Sequence, residues 1–356
     1  MRHRSEYLDN VKGLLVFLVV LAHFLAETAG LSKAVNAVYI VLYTFHVPLF
    51  AFLSGYLSRS RRAREQAPRR FLPSYLFAAF GFSLFSDLVF HAYAHPGQPL
   101  GDFLAQGLHY LGKAALSVFL APGPSWFLLS LISWRLLAPR AGRKRHLLWA
   151  LLAALLAGGV GEIGYALSLS RTVVFFPFFL AGYLLDEEAF GRLAEKARRP
   201  AVWLPAAALF AAGVYGLRRL GVLGYDLLYG YTSYEKMGFG FFQGAAARLG
   251  VFILAGLASV CVLGLMPRKA TVLARWGRRS LPVYVFHSFL LPLVAIGETA
   301  LEIGLWYAPL SLVFAAAACV LFSSSGAKRA LGAVSAGVGR LLFGKREGEE
   351  DPDRAP

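Results

Sequence analysis

Three ionisable residues in the first apolar stretch have the types and spacing needed for proton transfer. Lys12 and His23 are eleven residues apart, close to three helical turns, so a helix sets them on nearly one face, about 16 Å apart along its axis. Glu27 follows one turn beyond His23 on that same face. An imidazole titrates near neutral pH, and a carboxylate beside it would fix its tautomer and raise its basicity, as a general base requires. Charged side chains are costly inside a bilayer, so each one there is a candidate for function. Taken singly, Lys12 reads as a snorkelling anchor and His23 as a polar helix contact. With Glu27 beside them, the functional reading is the better one.

A second histidine sits in Phe45-His46-Val47-Pro48-Leu49-Phe50. Counted by helical rise from the inner end of its span, His46 falls at roughly the depth of His23. Pro48 frees a backbone carbonyl and permits a kink where a polar cavity needs lining. His46 reads equally well as a brace for the first helix and as a site residue. His287 lies in a later apolar block, about 10 Å from the inner face by the same counting.

Placing these residues requires membrane helices. The chain has 356 residues, 57% hydrophobic and 16% charged, with a mean hydropathy of +0.57. A soluble domain carries about a quarter charged residues. The apolar residues fall in blocks of roughly 18–24, the length that crosses a bilayer as a helix. Ten spans are expected, near 11–29, 34–57, 71–94, 124–138, 147–166, 172–185, 201–217, 244–266, 280–300 and 304–323. Only helices satisfy every backbone polar group within one segment in lipid. The expected fold class is therefore all-α, a polytopic integral membrane protein of about ten transmembrane helices. A disulfide scaffold, a secreted enzyme and a nucleic-acid binder are set aside.

The net charge of +16 then becomes a question of placement. With the N-terminus inside, inner loops receive Arg59, Arg61, Arg62, Arg64, Arg69 and Arg70, then Arg140 to Arg145, Arg192 to Arg199 and Arg268 to Arg279. The outside receives only Lys33, Lys113, Arg171, Arg218, Arg219 and Lys236. Cytoplasmic loops retain Lys and Arg, so both termini are expected in the cytoplasm and the chain in the cell (inner or plasma) membrane, amid its lipids. The first apolar run is too long for a signal-peptide core and is expected to be retained. Residues 1–343 are expected to form one membrane domain, and 344–356 a short charged, solvated tail.

Several further residues carry expectations. Leu104, Leu108, Leu111 and Ala115 recur at helical spacing, as in a helix lying on the outer surface. Tyr225, Tyr229, Tyr231 and Tyr234 are expected to anchor the protein at the interface, with the holding of sugars as the alternative reading. Arg135 and Arg248 are expected to snorkel. Cys261 and Cys319 lie in apolar blocks and read as filler. Asp87, Glu162 and Glu298 fall in or near spans without an assigned role. No HExxH, CxxC, Walker loop or GxSxG stands in the right context, so no metal site is expected.

In order along the chain, the motifs resemble those of a known family. Tyr7-Leu8-Asp9-Asn10-Val11-Lys12-Gly13 followed by His23 is similar to the first-helix signature of the acyltransferase-3 membrane O-acyltransferases, and its wording is closest to the fucose 4-O-acetylase-like branch. Phe45 to Phe50, Ser54-Gly55-Tyr56, Trp126-Phe127-Leu128, Phe176-Pro177-Phe178-Phe179 with Gly182, and Ser280-Leu281-Pro282-Val283-Tyr284 with His287 continue the likeness. The resemblance implies transfer of an acyl group, usually acetyl from cytoplasmic acetyl-CoA, to a hydroxyl of a glycan or its lipid-linked precursor. His23 would be the catalytic histidine, supported by Glu27, and Lys12 the basic residue preceding it. The family's Arg-x-x-Arg motif is altered here: Arg70 stands before Pro73, but its partner position is Ala67. Arg69, or Arg64 from the preceding turn, would supply the missing charge at the donor site. His46, Trp126 and His287 are assigned to the acceptor substrate. No nucleic acid is expected as a partner. The competing expectation is a proton-coupled transporter using His23 and Glu27 as a relay.

Overall fold

The computed structural model describes residues 5–26, 28–60, 65–120, 123–161, 166–301 and 304–344. Glu27, Arg64, Glu162 and the tail from 345 lie outside the described residues. Among the described residues every regular element is helical, as a chain that must close its backbone hydrogen bonds within each segment requires.

The first helix, Glu6–Leu25, is opened by Ser5, whose hydroxyl accepts from the Leu8 N–H, satisfying one of the orphan donors at its N-terminus. It is predominantly apolar and runs through the middle of the molecule. Val11, Leu15, Val16, Val20, Ala22 and Phe24 have no exposed surface, which is where such a helix belongs. The second helix, Lys33–Leu57, returns beside it, and a third, Ala67–Ala94, follows.

Among the described residues seven helices are long and apolar enough to cross a membrane: these three, then Pro200–Arg219, Phe241–Leu265, Ser280–Leu301 and Gly304–Phe322. The other three expected spans appear as shorter helices, Trp126–Leu137, Arg145–Leu156 and Leu169–Leu184. The last of these continues into Glu187–Ala197 through a 106° bend, where the Asp186 carboxylate caps the new helix at Ala189 N, 2.7 Å away.

Glycines set the closest crossings. A Cβ on Gly13 would overlap the carbonyl of Leu273, and one on Gly277 would overlap that of Asp9. The first helix and the Val272–Arg278 helix therefore meet backbone to backbone. Gly55 and Gly182 repeat the arrangement against Phe179 and Phe52, joining the second helix to Leu169–Leu184. Small residues allow this approach, and van der Waals packing then holds it.

Asn10 adds a polar clasp to the first crossing. Its Nδ2 donates to the carbonyls of Pro267 (2.9 Å) and Lys269 (2.8 Å), and its Oδ1 accepts from the Thr271 hydroxyl at 2.7 Å. One buried amide thus satisfies the loop that leads into Val272–Arg278.

The segment expected to lie as an outer-surface helix is helical from Leu100 to Ser117. It turns Leu100, Leu104, Leu108 and Leu111 outward, and is tied to the third helix by Lys113 Nζ to Asp87 Oδ1 at 2.7 Å. Arg248 does not snorkel. It is buried, stacks 4.7 Å from the Tyr234 ring centroid and donates to the Ala154 carbonyl at 3.2 Å, because neighbouring helices enclose it before it can reach the interface. Arg135 is buried too, 4.5 Å over the Phe71 ring. The tyrosines also turn inward. Tyr229 Oη lies 2.7 Å from Tyr39 Oη, and Tyr234 Oη donates to the Leu155 carbonyl at 2.9 Å.

Candidate active site

The ends of the bundle carry different chemistry. Chain direction places the start of the first helix, the end of the second and the start of the third at one end, with Lys12. His23, the loop before Trp126 and the tyrosine-rich segment after Pro200–Arg219 gather towards the other. A cavity of about 220 Å³ sits at this second end, with His23, His46, Tyr43, Trp126, Arg171 and Tyr231 on its wall. A larger one, about 960 Å³, sits at the Lys12 end, where Arg59, Arg198 and Arg268 join Lys12.

His23, which lines the smaller cavity, meets His287, which is not on its wall. His23 Nδ1 is 3.0 Å from His287 Nε2, and the rings lie nearly parallel with centroids 5.2 Å apart. His287 is fully buried, at the point where the Ser280–Phe286 helix tightens into a 3₁₀ turn, His287–Leu290. Its Nδ1 lies 3.2 Å from the Val283 carbonyl.

This chain of contacts fixes both tautomers. A carbonyl oxygen only accepts, so His287 Nδ1 carries a hydrogen and donates it to Val283. A neutral His287 then has a bare lone pair on Nε2; a buried imidazolium without a counter-charge would be far costlier. His23 must therefore donate from Nδ1, which leaves its Nε2 as a lone pair. That atom makes no hydrogen bond among the described residues. The sequence assigns the tautomer-fixing role to Glu27, which lies outside the described residues, and His287 to the substrate; among the described residues the group seated on His23 Nδ1 is His287.

His46 is held in the same way. Its Nδ1 lies 2.5 Å from the Leu42 carbonyl one turn back, and its ring is 1% exposed. Tyr43 packs edge-on against it, centroids 4.9 Å apart. The depth count from sequence brought His46 to the level of His23, and both line one cavity. Trp126 reaches it as well, tilted against Phe175 with centroids 5.6 Å apart, while Tyr284 Oη donates to the Pro124 carbonyl beside the cavity.

Arg171, which in the sequence counts only as an outer-loop charge, also lines the smaller cavity. Its guanidinium lies 5.0 Å from the Trp126 ring centroid and 4.5 Å from that of Tyr231. Stacking between rings orients the plane and leaves its N–H groups pointing along it. No spacing rule connects Arg171 to a histidine on another helix, so the sequence held no signal for it.

At the Lys12 end, Lys12 Nζ is 2.8 Å from Asp9 Oδ1, and Arg268 pairs with Glu195. Bases and acids are interleaved around this cavity. Arg69 and Arg70 stand exposed at the start of the third helix, over the rings of Phe343 (5.8 Å) and Phe71 (5.4 Å), and are not on the cavity wall. Arg59, Arg198 and Arg268 are, although in the sequence they count only as loop charges. Leu15, Leu49 and Leu53, each at most 1% exposed, pack between the two cavities on the first two helices. Among the described residues no group of three or more His, Cys, Asp or Glu is gathered as a metal site.

Among curated proteins and among solved structures no match is found. The family model described as an acyltransferase domain, that of acyltransferase-3, matches residues 5–324. The match takes in His23, His46 and His287, and it spans nearly the whole chain. The chain therefore belongs to the acyltransferase-3 family and is a membrane acyltransferase.

Proposed function

We propose that the protein transfers an acyl group, acetyl in the simplest case, from acyl-CoA to a hydroxyl of a cell-surface glycan or its lipid-linked precursor, with His23 as general base. The observation that carries this reading is the His23 Nε2 lone pair in a cavity, with Nδ1 occupied by His287 at 3.0 Å. An imidazole so oriented takes a proton from a hydroxyl in contact with Nε2. The oxygen attacks the thioester carbonyl, the C–S bond breaks, and the thiolate leaves. The proton on Nε2 passes to the thiolate sulfur, giving free CoA thiol and the new ester, and His23 returns to its starting form. While charged, His23 keeps its Nδ1–H on His287, as the imidazolium in a catalytic triad keeps its partner.

The donor's phosphates are assigned to the larger cavity, with Lys12, Arg59, Arg198 and Arg268 as their ligands. Its volume of about 960 Å³ suits a nucleotide-sized group, and guanidinium forks match phosphate oxygens. Since Lys12 and Arg268 already hold carboxylates, phosphate binding exchanges partners instead of adding charge. The pantetheine arm would then follow the Lys12–His23 face of the first helix, which requires the Leu15, Leu49 and Leu53 layer to part. Arg171 and the Trp126 indole N–H are the groups assigned to the oxyanion that forms on the thioester carbonyl. The basic inner face and both termini are assigned to the cytoplasm.

The test is acetyl release. Detergent-purified protein incubated with acetyl-labelled CoA should hydrolyse it slowly, or transfer the label to added glycan, and His23→Ala should lower the rate by about 10²–10⁴. Full activity in that variant would contradict the assignment.

A further inference from the structure

His46 offers the cavity a second lone pair. The Leu42 carbonyl, 2.5 Å from His46 Nδ1, can only accept, so the hydrogen sits on Nδ1 and Nε2 is bare. His46 is 1% exposed, lines the cavity that holds His23, and its Nε2 finds no hydrogen-bond partner among the described residues. His23 reaches the same state by another route, with His287 in place of the carbonyl. One small cavity thus holds two neutral imidazoles, each with its donor spent and its acceptor left over. Each lone pair can accept a hydrogen bond from a donor that a molecule bound in the cavity brings.

From this we infer that the acceptor presents two hydroxyl groups of one ring, the reacting one to His23 Nε2 and a second to His46 Nε2. His46 is then a specificity-determining residue: it selects a polyol over a ring alcohol with a single hydroxyl, and it sets which hydroxyl faces His23. The inference rests on the acyl-transfer reading and narrows its acceptor. A site that hydrogen-bonds a substrate hydroxyl discriminates strongly against the analogue lacking it, because a buried partner is then stranded. A ratio of at least about tenfold is expected.

The experiment uses full-length protein in detergent, acetyl-labelled CoA and three probes: cyclohexanol, cis-1,2-cyclohexanediol and cis-1,3-cyclohexanediol. Labelled ester is measured per hydroxyl. At least one diol should be acylated about tenfold faster than cyclohexanol. Cyclohexanol reacting as fast as both diols, or no ring alcohol reacting at all, would overturn the inference. In His46→Leu the diol-to-alcohol ratio should fall towards one, and in His46→Gln it should persist, because the amide oxygen also accepts. An unchanged ratio in His46→Leu would overturn it as well. Should His46→Leu not fold, the ratio in the unaltered protein decides alone. Failure of the acyl-transfer reading itself has a different signature: acetyl-CoA breakdown that is absent or indifferent to His23→Ala.

Discussion

Gly13 and Gly277 face each other so closely that neither has room for a Cβ: each would meet a backbone carbonyl, Leu273 for the first and Asp9 for the second. The crossing holds the helix that carries Lys12 and His23 against Val272–Arg278, which runs directly into the segment carrying His287. The register of the two histidines thus depends on two residues without side chains, at the opposite end of the first helix.

Gly13→Ala should therefore destabilise the protein by about 1–3 kcal/mol or more, the cost of overpacking where the obstacle is backbone and cannot swing aside. Gly256, in the Phe241–Leu265 helix with nothing near its Cβ position, is the control. Gly256→Ala should be neutral or slightly stabilising, since alanine favours the helix. Thermal unfolding in detergent separates the two outcomes.

Asn10→Ala should strand the carbonyls of Pro267 and Lys269 and the Thr271 hydroxyl. Each buried group left unpaired costs about 1–3 kcal/mol. Asn10→Asp should also destabilise, because a carboxylate can serve Thr271 but cannot donate to the two carbonyls. Comparable melting temperatures for Asn10→Asp and the unaltered protein would show that the two carbonyl contacts contribute little.

Lys12→Ala should raise the KM for acetyl-CoA about tenfold with a smaller change in kcat, as expected when an interaction contributes to ground-state and transition-state binding alike. Arg69→Ala, outside the cavity, should change it less than about twofold. Added salt should weaken donor binding in the unaltered protein more than in Lys12→Ala. Steady-state kinetics across a salt series measures all three.

Much of the helical architecture was legible in the sequence, because blocks of 18–24 apolar residues have few other solutions. The number that spans was harder to read. Trp126–Leu137 and Leu169–Leu184 are apolar but short, and apolarity alone does not separate a crossing from a buried half-helix. His23 and His46 could be matched in depth because helical rise is constant. The seating of His287 on His23 could not, since it depends on a helix 264 positions away. The inward turn of Arg171, Arg248 and the tyrosines is not legible in the sequence for one reason. Each looks interfacial from its own segment, and only neighbouring helices decide that it turns inward. Asn10 belonged to a recognisable motif, but its partners at Pro267, Lys269 and Thr271 become visible only in three dimensions.

In the proposed mechanism His23 acts from Nε2 because His287 holds a hydrogen on Nδ1. The most direct test is the rate of acetyl release from labelled acetyl-CoA by His287→Leu and His287→Gln, with folding of each checked by thermal unfolding. Leucine removes the acceptor facing Nδ1, and the rate should fall on the order of 10²-fold, in the direction seen when a catalytic histidine is left in the wrong tautomer. Glutamine offers an amide oxygen in its place, and the rate should recover to within about tenfold of the unaltered protein, with its dependence on His23 intact. A folded His287→Leu protein that works at full rate would contradict the claim.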